Sequence, residues 1–153
     1  IALRLVGSEM CIRDRLVPET FPFAQSYTVW EPLQVMHEIW NAGSIGKNRV
    51  AVMYRVQGPK TGLLAREGDT AAGTAFLALD GNIAMVHAVE VLQSFRRKGV
   101  ARKLMAQAAD WAQARGAVYM SVITTNRNVA ANTLYRSLGM YPVAKYHYRI
   151  KES

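Results

Sequence analysis

The chain has 153 residues, half of them hydrophobic, enough for one packed core and too few to expect two. Its formal net charge is +8, and its one cysteine, Cys11, excludes an internal disulfide and a Cys-x-x-Cys metal site, which fits a reducing, cytoplasmic setting; no metal is implied. No run approaches the roughly 20 apolar residues that cross a bilayer, and zinc-finger spacing, RNA-binding aromatic motifs and a long basic helix are all missing, so neither membrane nor nucleic acid is the expected partner.

Residues 1–15 begin without Met, show no clean periodicity and interleave Arg4, Glu9, Arg13, Asp14 and Arg15, unlike the apolar core of a signal peptide. The string Leu5 to Asp14 resembles the translated read-through of a sequencing adapter. This segment is therefore expected to be a non-native or unstructured leader ahead of a domain over 16–153. Residues 16–27, with Pro18, Pro22 and three aromatics, read as extended or loop. Thr28 and Glu31 have capping-box spacing and Pro32 suits a first turn, predicting a helix over 28–41 with Leu33, Met36, Ile39 and Trp40 as its apolar stripe and Gly43 as its stop. Residues 46–57 fit helix or strand; helix is preferred.

From 61 the pattern turns to β. Runs at 61–66, 70–79 and 82–92 are separated by Glu67-Gly68-Asp69 and Asp80-Gly81, which predicts an antiparallel meander. A helix starts near Val100, burying Ala101, Leu104, Met105, Ala108, Trp111 and Ala112, and ends at Gly116. A strand over 118–124, a helix from Asn128 to Leu138 closed by Gly139, and a last strand over 142–151 follow. In that strand Lys145, His147 and Arg149 share one face. Trp30, Trp40 and Trp111 read as core or lid aromatics.

The turn Arg96-Arg97-Lys98-Gly99-Val100-Ala101 is the most informative stretch. Asp110 is the only acid between Glu90 and Glu152, whereas Arg96, Arg97, Lys98, Arg102 and Lys103 crowd this one place. A basic, glycine-containing strand-to-helix turn offers main-chain N–H groups, a positive dipole end and cationic side chains to a small anion such as a pyrophosphate. Gly99 lets the backbone approach without a Cβ in the way, and the amides of Lys98 to Arg102 can reach the anion. Hydrogen bonds to an ionised acceptor contribute about 1.5–3 kcal/mol each.

Arg96, Gly99 and Ala101 match the Arg/Gln-x-x-Gly-x-Gly/Ala signature of the GNAT N-acetyltransferases. Asn128, Ala131, Leu134 and Tyr135, with Leu138-Gly139-Met140, match the same family's Asn-x-x-Ala-x-x-Leu-Tyr-x-x-Leu-Gly pattern. The chain resembles that superfamily over residues 60–151. The resemblance implies an α/β fold: a mixed, largely antiparallel sheet with helices on both faces and a splayed parallel strand pair at 82–92 and 117–124. It implies acetyl-CoA as co-substrate, with its pyrophosphate on Arg96 to Arg102 and its arm bonded to the backbone of Val89 to Val91 and to Asn128. An amide there would stabilise an oxyanion, and Tyr135 would protonate the departing thiolate.

The acceptor implied is an amine, attacking directly. An ammonium of pKa near 10.4 is free base in about one molecule per few thousand at pH 7, so some group must take its proton. Many family members have a Glu eleven residues before the signature Arg; here it is Met85. Others have one in the next strand; here it is Ser121. Glu90 and His87 are the remaining candidates, and an odd spacing sends them to opposite faces unless a bulge intervenes. The family's first strand and paired N-terminal helices are not recognisable, which suggests a fragment of a longer two-lobed protein, its acceptor pocket completed by a missing N-terminal lobe or a second chain of a homodimer. The alternative function is a non-catalytic acyl-CoA sensor.

Overall fold

The computed structural model describes residues 3–14 and 26–151. They form β1 (Leu3–Asp14), β2 (Ser26–Val29), α1 (Gln34–Ala42), α2 (Lys47–Arg55), β3 (Lys60–Glu67), β4 (Thr70–Asp80), β5 (Ile83–Val91), α3 (Val100–Gln113), β6 (Tyr119–Thr125), α4 (Val129–Ser137) and β7 (Tyr141–Lys151). The strands make one sheet in the order β2-β3-β4-β5-β6-β1-β7, antiparallel throughout except for the β5–β6 pair.

Alternation along the meander feeds two cores, one on each face. Ala75 and Leu77 of β4 join Leu63, Val86, Met120 and the α3 residues Leu104 and Met105. Phe76, between them, faces the other way and meets Met36, Ile39 and Trp40 of α1 and Val50 and Met53 of α2. The anticipated mixed, largely antiparallel sheet with helices on both faces and a parallel pair is what forms, and the helical choice for 46–57 holds as α2.

Two expectations need correction. The first helix begins at Gln34, not at residue 28, and Thr28 lies in β2 opposite Leu63. Pro32 explains this: its ring disfavours the α conformation at Glu31, which favours a helix start beyond it. The helices expected over 28–41 and 46–57 form as α1 and α2, preceded by the short strand β2. The segment set aside as a non-native or unstructured leader is not unstructured over Leu3–Asp14: it supplies β1, paired with β6 from Ser8↔Thr125 to Asp14↔Tyr119 and with β7 from Leu3↔Lys151 to Ile12↔Tyr141. Main-chain bonds satisfy the flanks of β6 and β7 and need no side-chain periodicity, so its pattern gave no strand signal. Residues 15–25, part of the loop reading at 16–27, lie outside the described residues, as do the side chains of the last strand from residue 146, including the face assigned to His147.

Candidate active site

Pairing between β5 and β6 runs only from Ile83↔Tyr119 to Val86↔Val122. Beyond it both strands continue, to Val91 and Thr125, without bonding to each other. The sheet thus opens into a V whose β5 arm presents its main chain to any extended ligand that can act as an added strand.

The β5 arm is bent by a bulge. Phe76 faces His87 and Thr74 faces Glu90, so the single residue Ala75 on β4 stands opposite both Ala88 and Val89. Ala88 takes a left-handed φ of 52°, a conformation that a non-glycine residue adopts at a cost of about 1–2 kcal/mol. Trp40, fully buried in α1, donates its indole N–H to the Ala88 carbonyl at 2.8 Å and holds the distortion in place.

The extra residue resolves the odd spacing of the two candidate bases. Phe76 and Thr74 share a face of β4, and directly opposed residues share a face, so His87 and Glu90 both point toward α1 and α2. Glu90 Oε1 accepts from Arg96 Nη2 at 3.3 Å, while Arg96 Nε donates to the Val91 carbonyl at 3.2 Å. A Cβ on Gly43, just past α1, would collide with the Glu90 carboxyl. That glycine, read from sequence only as a helix stop, is what gives Glu90 its room.

After β5 comes a 3-10 turn at Gln93–Phe95, then Arg97 at φ 63° and Gly99 at φ 78°, the N-cap of α3. No atom lies within 4 Å of a Cβ built on Gly99, so its left-handed backbone and not crowding demands glycine there. The first-turn N–H groups of Val100 and Ala101 have no intrahelical acceptor and project from the positive end of the helix.

The V, this turn and the start of α4 enclose one open cleft of about 1,550 Å³. Of the residues assigned to the cofactor, Val89, Val91, Arg96, Arg97, Gly99, Val100, Ala101, Arg102 and Asn128 line it. Lys98 does not; its ammonium stands 5.1 Å over the Phe95 ring. Asn128 caps α4, its Oδ1 accepting from Ala131 N at 3.1 Å. Tyr135 and Glu90 line the same cleft. Tyr135 is buried against Leu138 and Met140, and that burial, with a smaller contribution from Cys11, pushes its pKa up to about 12. A phenol so placed stays protonated over the whole physiological range and can donate.

His87 lines a second, smaller cleft of about 440 Å³ between α2 and the β4–β5 hairpin, walled by Val52, Met53, Val56, Phe76 and Met85. Burial, and secondarily the positive charge of Arg49, push its pKa down. It is therefore a neutral imidazole near pH 7. Arg49 lines both clefts and is where they meet. Met85 and Ser121 face each other across the β5–β6 pair, and the buried Ser121 hydroxyl has no hydrogen-bond partner among the described residues. No cluster of three or more potential metal ligands occurs among the described residues, and no described helix is long and apolar enough to cross a membrane.

Trp40, Gly43 and Arg49 are the site residues that sequence reasoning missed. A stripe position, a helix stop and an exposed charge carry no sign of what the tertiary fold brings against them.

Comparison with known proteins bears on the family and the fold. The Acetyltransferase (GNAT) family model matches residues 23–140. The chain is 34% identical over 86 residues to YobR of Bacillus subtilis (strain 168), described as an uncharacterized N-acetyltransferase, a match covering 56% of this chain and 34% of that protein. Among solved structures it superposes on a GNAT-family acetyltransferase from Novosphingobium aromaticivorans with a TM-score of 0.73 at 17% identity, over 95% of this chain and 64% of the other. It also superposes on a Bacillus subtilis acetyltransferase in complex with CoA, with a TM-score of 0.62 at 18% identity, over 75% of this chain and 74% of that one. The chain thus spans about a third of the curated relative it matches.

Proposed function

Because the chain belongs to the GNAT acetyltransferase family, we propose that it moves an acetyl group from acetyl-CoA to a primary amine by direct attack of the amine on the thioester. The carrying observation is that a strand opening, an anion-binding helix start, a buried phenol and a carboxylate all line one cleft. Acetyl-CoA fits what is there: cationic side chains and outward N–H groups suit its phosphates, and the unpaired β5 backbone suits its amide-bearing arm. When bound it supplies an activated acyl group.

In this reading Arg96, Arg97 and the N–H groups of Gly99 to Arg102 hold the pyrophosphate, Lys98 adding charge at the rim. Main-chain groups of Val89 to Val91 align the arm, and one N–H there donates to the carbonyl oxygen as it gains negative charge. Asn128 still has its amide N–H groups to offer the arm. Glu90 accepts the amine proton, directly or through a water, with neutral His87 as a second acceptor on the same face. Tyr135 gives its proton to the leaving sulfur. The activity of any longer protein containing this chain, its acceptor, its partners and a cytosolic location belong to the same proposal.

The test is CoA thiol release across amine classes for wild type, Tyr135→Phe and Glu90→Gln. General acid–base contributions of roughly 10²–10⁴-fold predict a fall of at least about 100-fold in kcat for Tyr135→Phe, with acetyl-CoA affinity by calorimetry nearly unchanged. Equal rates in all three proteins would remove the catalytic assignments. Acetyl-CoA binding without release from any amine would leave the sensor reading instead.

A further inference from the structure

The smaller cleft has a defined chemistry. Its walls are mostly aliphatic, thioether and aromatic, with Gln57 and His87 as polar members besides the charges at its mouth, and its volume of about 440 Å³ lies in the range of about 300–1,000 Å³ typical of small-molecule sites. It opens on the face of the sheet that carries His87 and Glu90, beside the cleft assigned to the donor.

The charges at its mouth are ordered. Arg49, on the exposed side of α2, lines both clefts and forms no ion pair among the described residues. It is also the charge that acts on His87. Glu90 lines the donor cleft. Asp80, the one acid on the small cleft, sits at the end of β4 in the β4–β5 turn. From the junction outward the site therefore presents a cation beside an apolar pocket, with a carboxylate on the side of the thioester. A polycationic amine would meet Arg49 with like charge. A molecule with a carboxylate, an adjacent amine and an apolar body would be complemented at all three points, since guanidinium binds carboxylate in bidentate fashion.

We propose that the acceptor is a free α-amino acid with a large apolar side chain, its carboxylate held by Arg49 at the junction and its side chain filling the cleft walled by Met53, Phe76 and Met85. The inference rests on the acetyltransferase reading and adds the acceptor class. In the reaction the α-amine nitrogen forms the new bond to the acetyl carbon, the carbon–sulfur bond of the thioester breaks, the amine proton leaves to Glu90, and the thiolate takes a proton from Tyr135.

The experiment compares thiol release with L-phenylalanine, L-phenylalaninamide, L-alanine, n-hexylamine and spermidine, for wild type and Arg49→Gln. Wild type should use phenylalanine with kcat/KM at least about tenfold above phenylalaninamide and above alanine, chiefly through KM. Arg49→Gln should lose the preference for the acid over the amide while keeping that for phenylalanine over alanine and an unaltered calorimetric affinity for acetyl-CoA. Equal use of acid and amide by wild type, or best turnover with hexylamine or spermidine, overturns the inference and leaves the acetyltransferase reading standing. No release with any amine, acetyl-CoA being bound, overturns both.

Discussion

Trp40 and His87 show how single buried groups set the behaviour of β5. The Trp40 indole is the described hydrogen-bond partner of the Ala88 carbonyl at the bulge. Trp40→Phe keeps an aromatic ring and removes the donor. Leaving a fully buried carbonyl unsatisfied costs about 1–3 kcal/mol; Ala88 is half-buried and lines the open cleft, so denaturant melts should show a loss of at most about 1 kcal/mol. If the bulge aims the β5 backbone and Glu90, kcat should fall as well; reduced stability with kcat intact would make Trp40 a packing residue only. For His87 the folded protein disfavours the charged form, by burial first and Arg49 second. Below about pH 6.5 an unfolded chain takes up a proton that the folded one resists. The unfolded state then binds more protons, so stability rises with pH there and drops as the solution is acidified from about 6.5. Urea titrations at several pH values should show that slope in wild type and a shallower one in His87→Gln; identical slopes would count against a shifted histidine.

At the level of elements, the turn into α3 is the part with the clearest requirement. Gly99 adopts φ 78° in open space, so Gly99→Ala should fold and pay only the left-handed penalty of about 1–2 kcal/mol. Relief of that strain by turning the peptide would rotate the Val100 and Ala101 N–H groups, and calorimetry should record acetyl-CoA affinity weakened several-fold or more. Unchanged affinity would mean that the helix start is not the phosphate cradle. This turn was legible in the sequence because its requirements are local: charge density, a glycine and a following apolar stripe. The meander, α3 and α4 were legible for the same reason, with Asp80-Gly81 and the Asn128 cap fixing their limits. The start of α1 was not, because capping-box spacing at Thr28 and Glu31 competes with the Pro32 constraint, and the strand partner that decides for β2 lies some 35 residues on, at Gly62 to Ala65. Nor could spacing alone decide the faces of His87 and Glu90. The bulge that unites them depends on Ala75 of β4 and on Trp40 of α1, and neither is local to β5.

For the whole molecule, the excess of positive charge is concentrated where the donor cleft opens, which favours encounter with an anionic co-substrate at low ionic strength. Beyond β6 the sheet that carries this cleft continues through a strand drawn from the other end of the chain, inserted between β6 and β7. Met10 of β1 stands opposite Ile123 on one flank and Ala144 on the other. During synthesis β1 leaves the ribosome before every other described strand, yet both its neighbours are among the last to appear. Until β6 and β7 exist its edges lack the partners they have in the native sheet, which leaves them open to pairing with other chains. Contacts that span so much sequence close slowly, so stopped-flow refolding is expected to show completion of this half of the sheet after the β3–β5 meander has formed. Dilution and a shielding chaperone are the conditions under which nascent chains should reach the native sheet instead of aggregating.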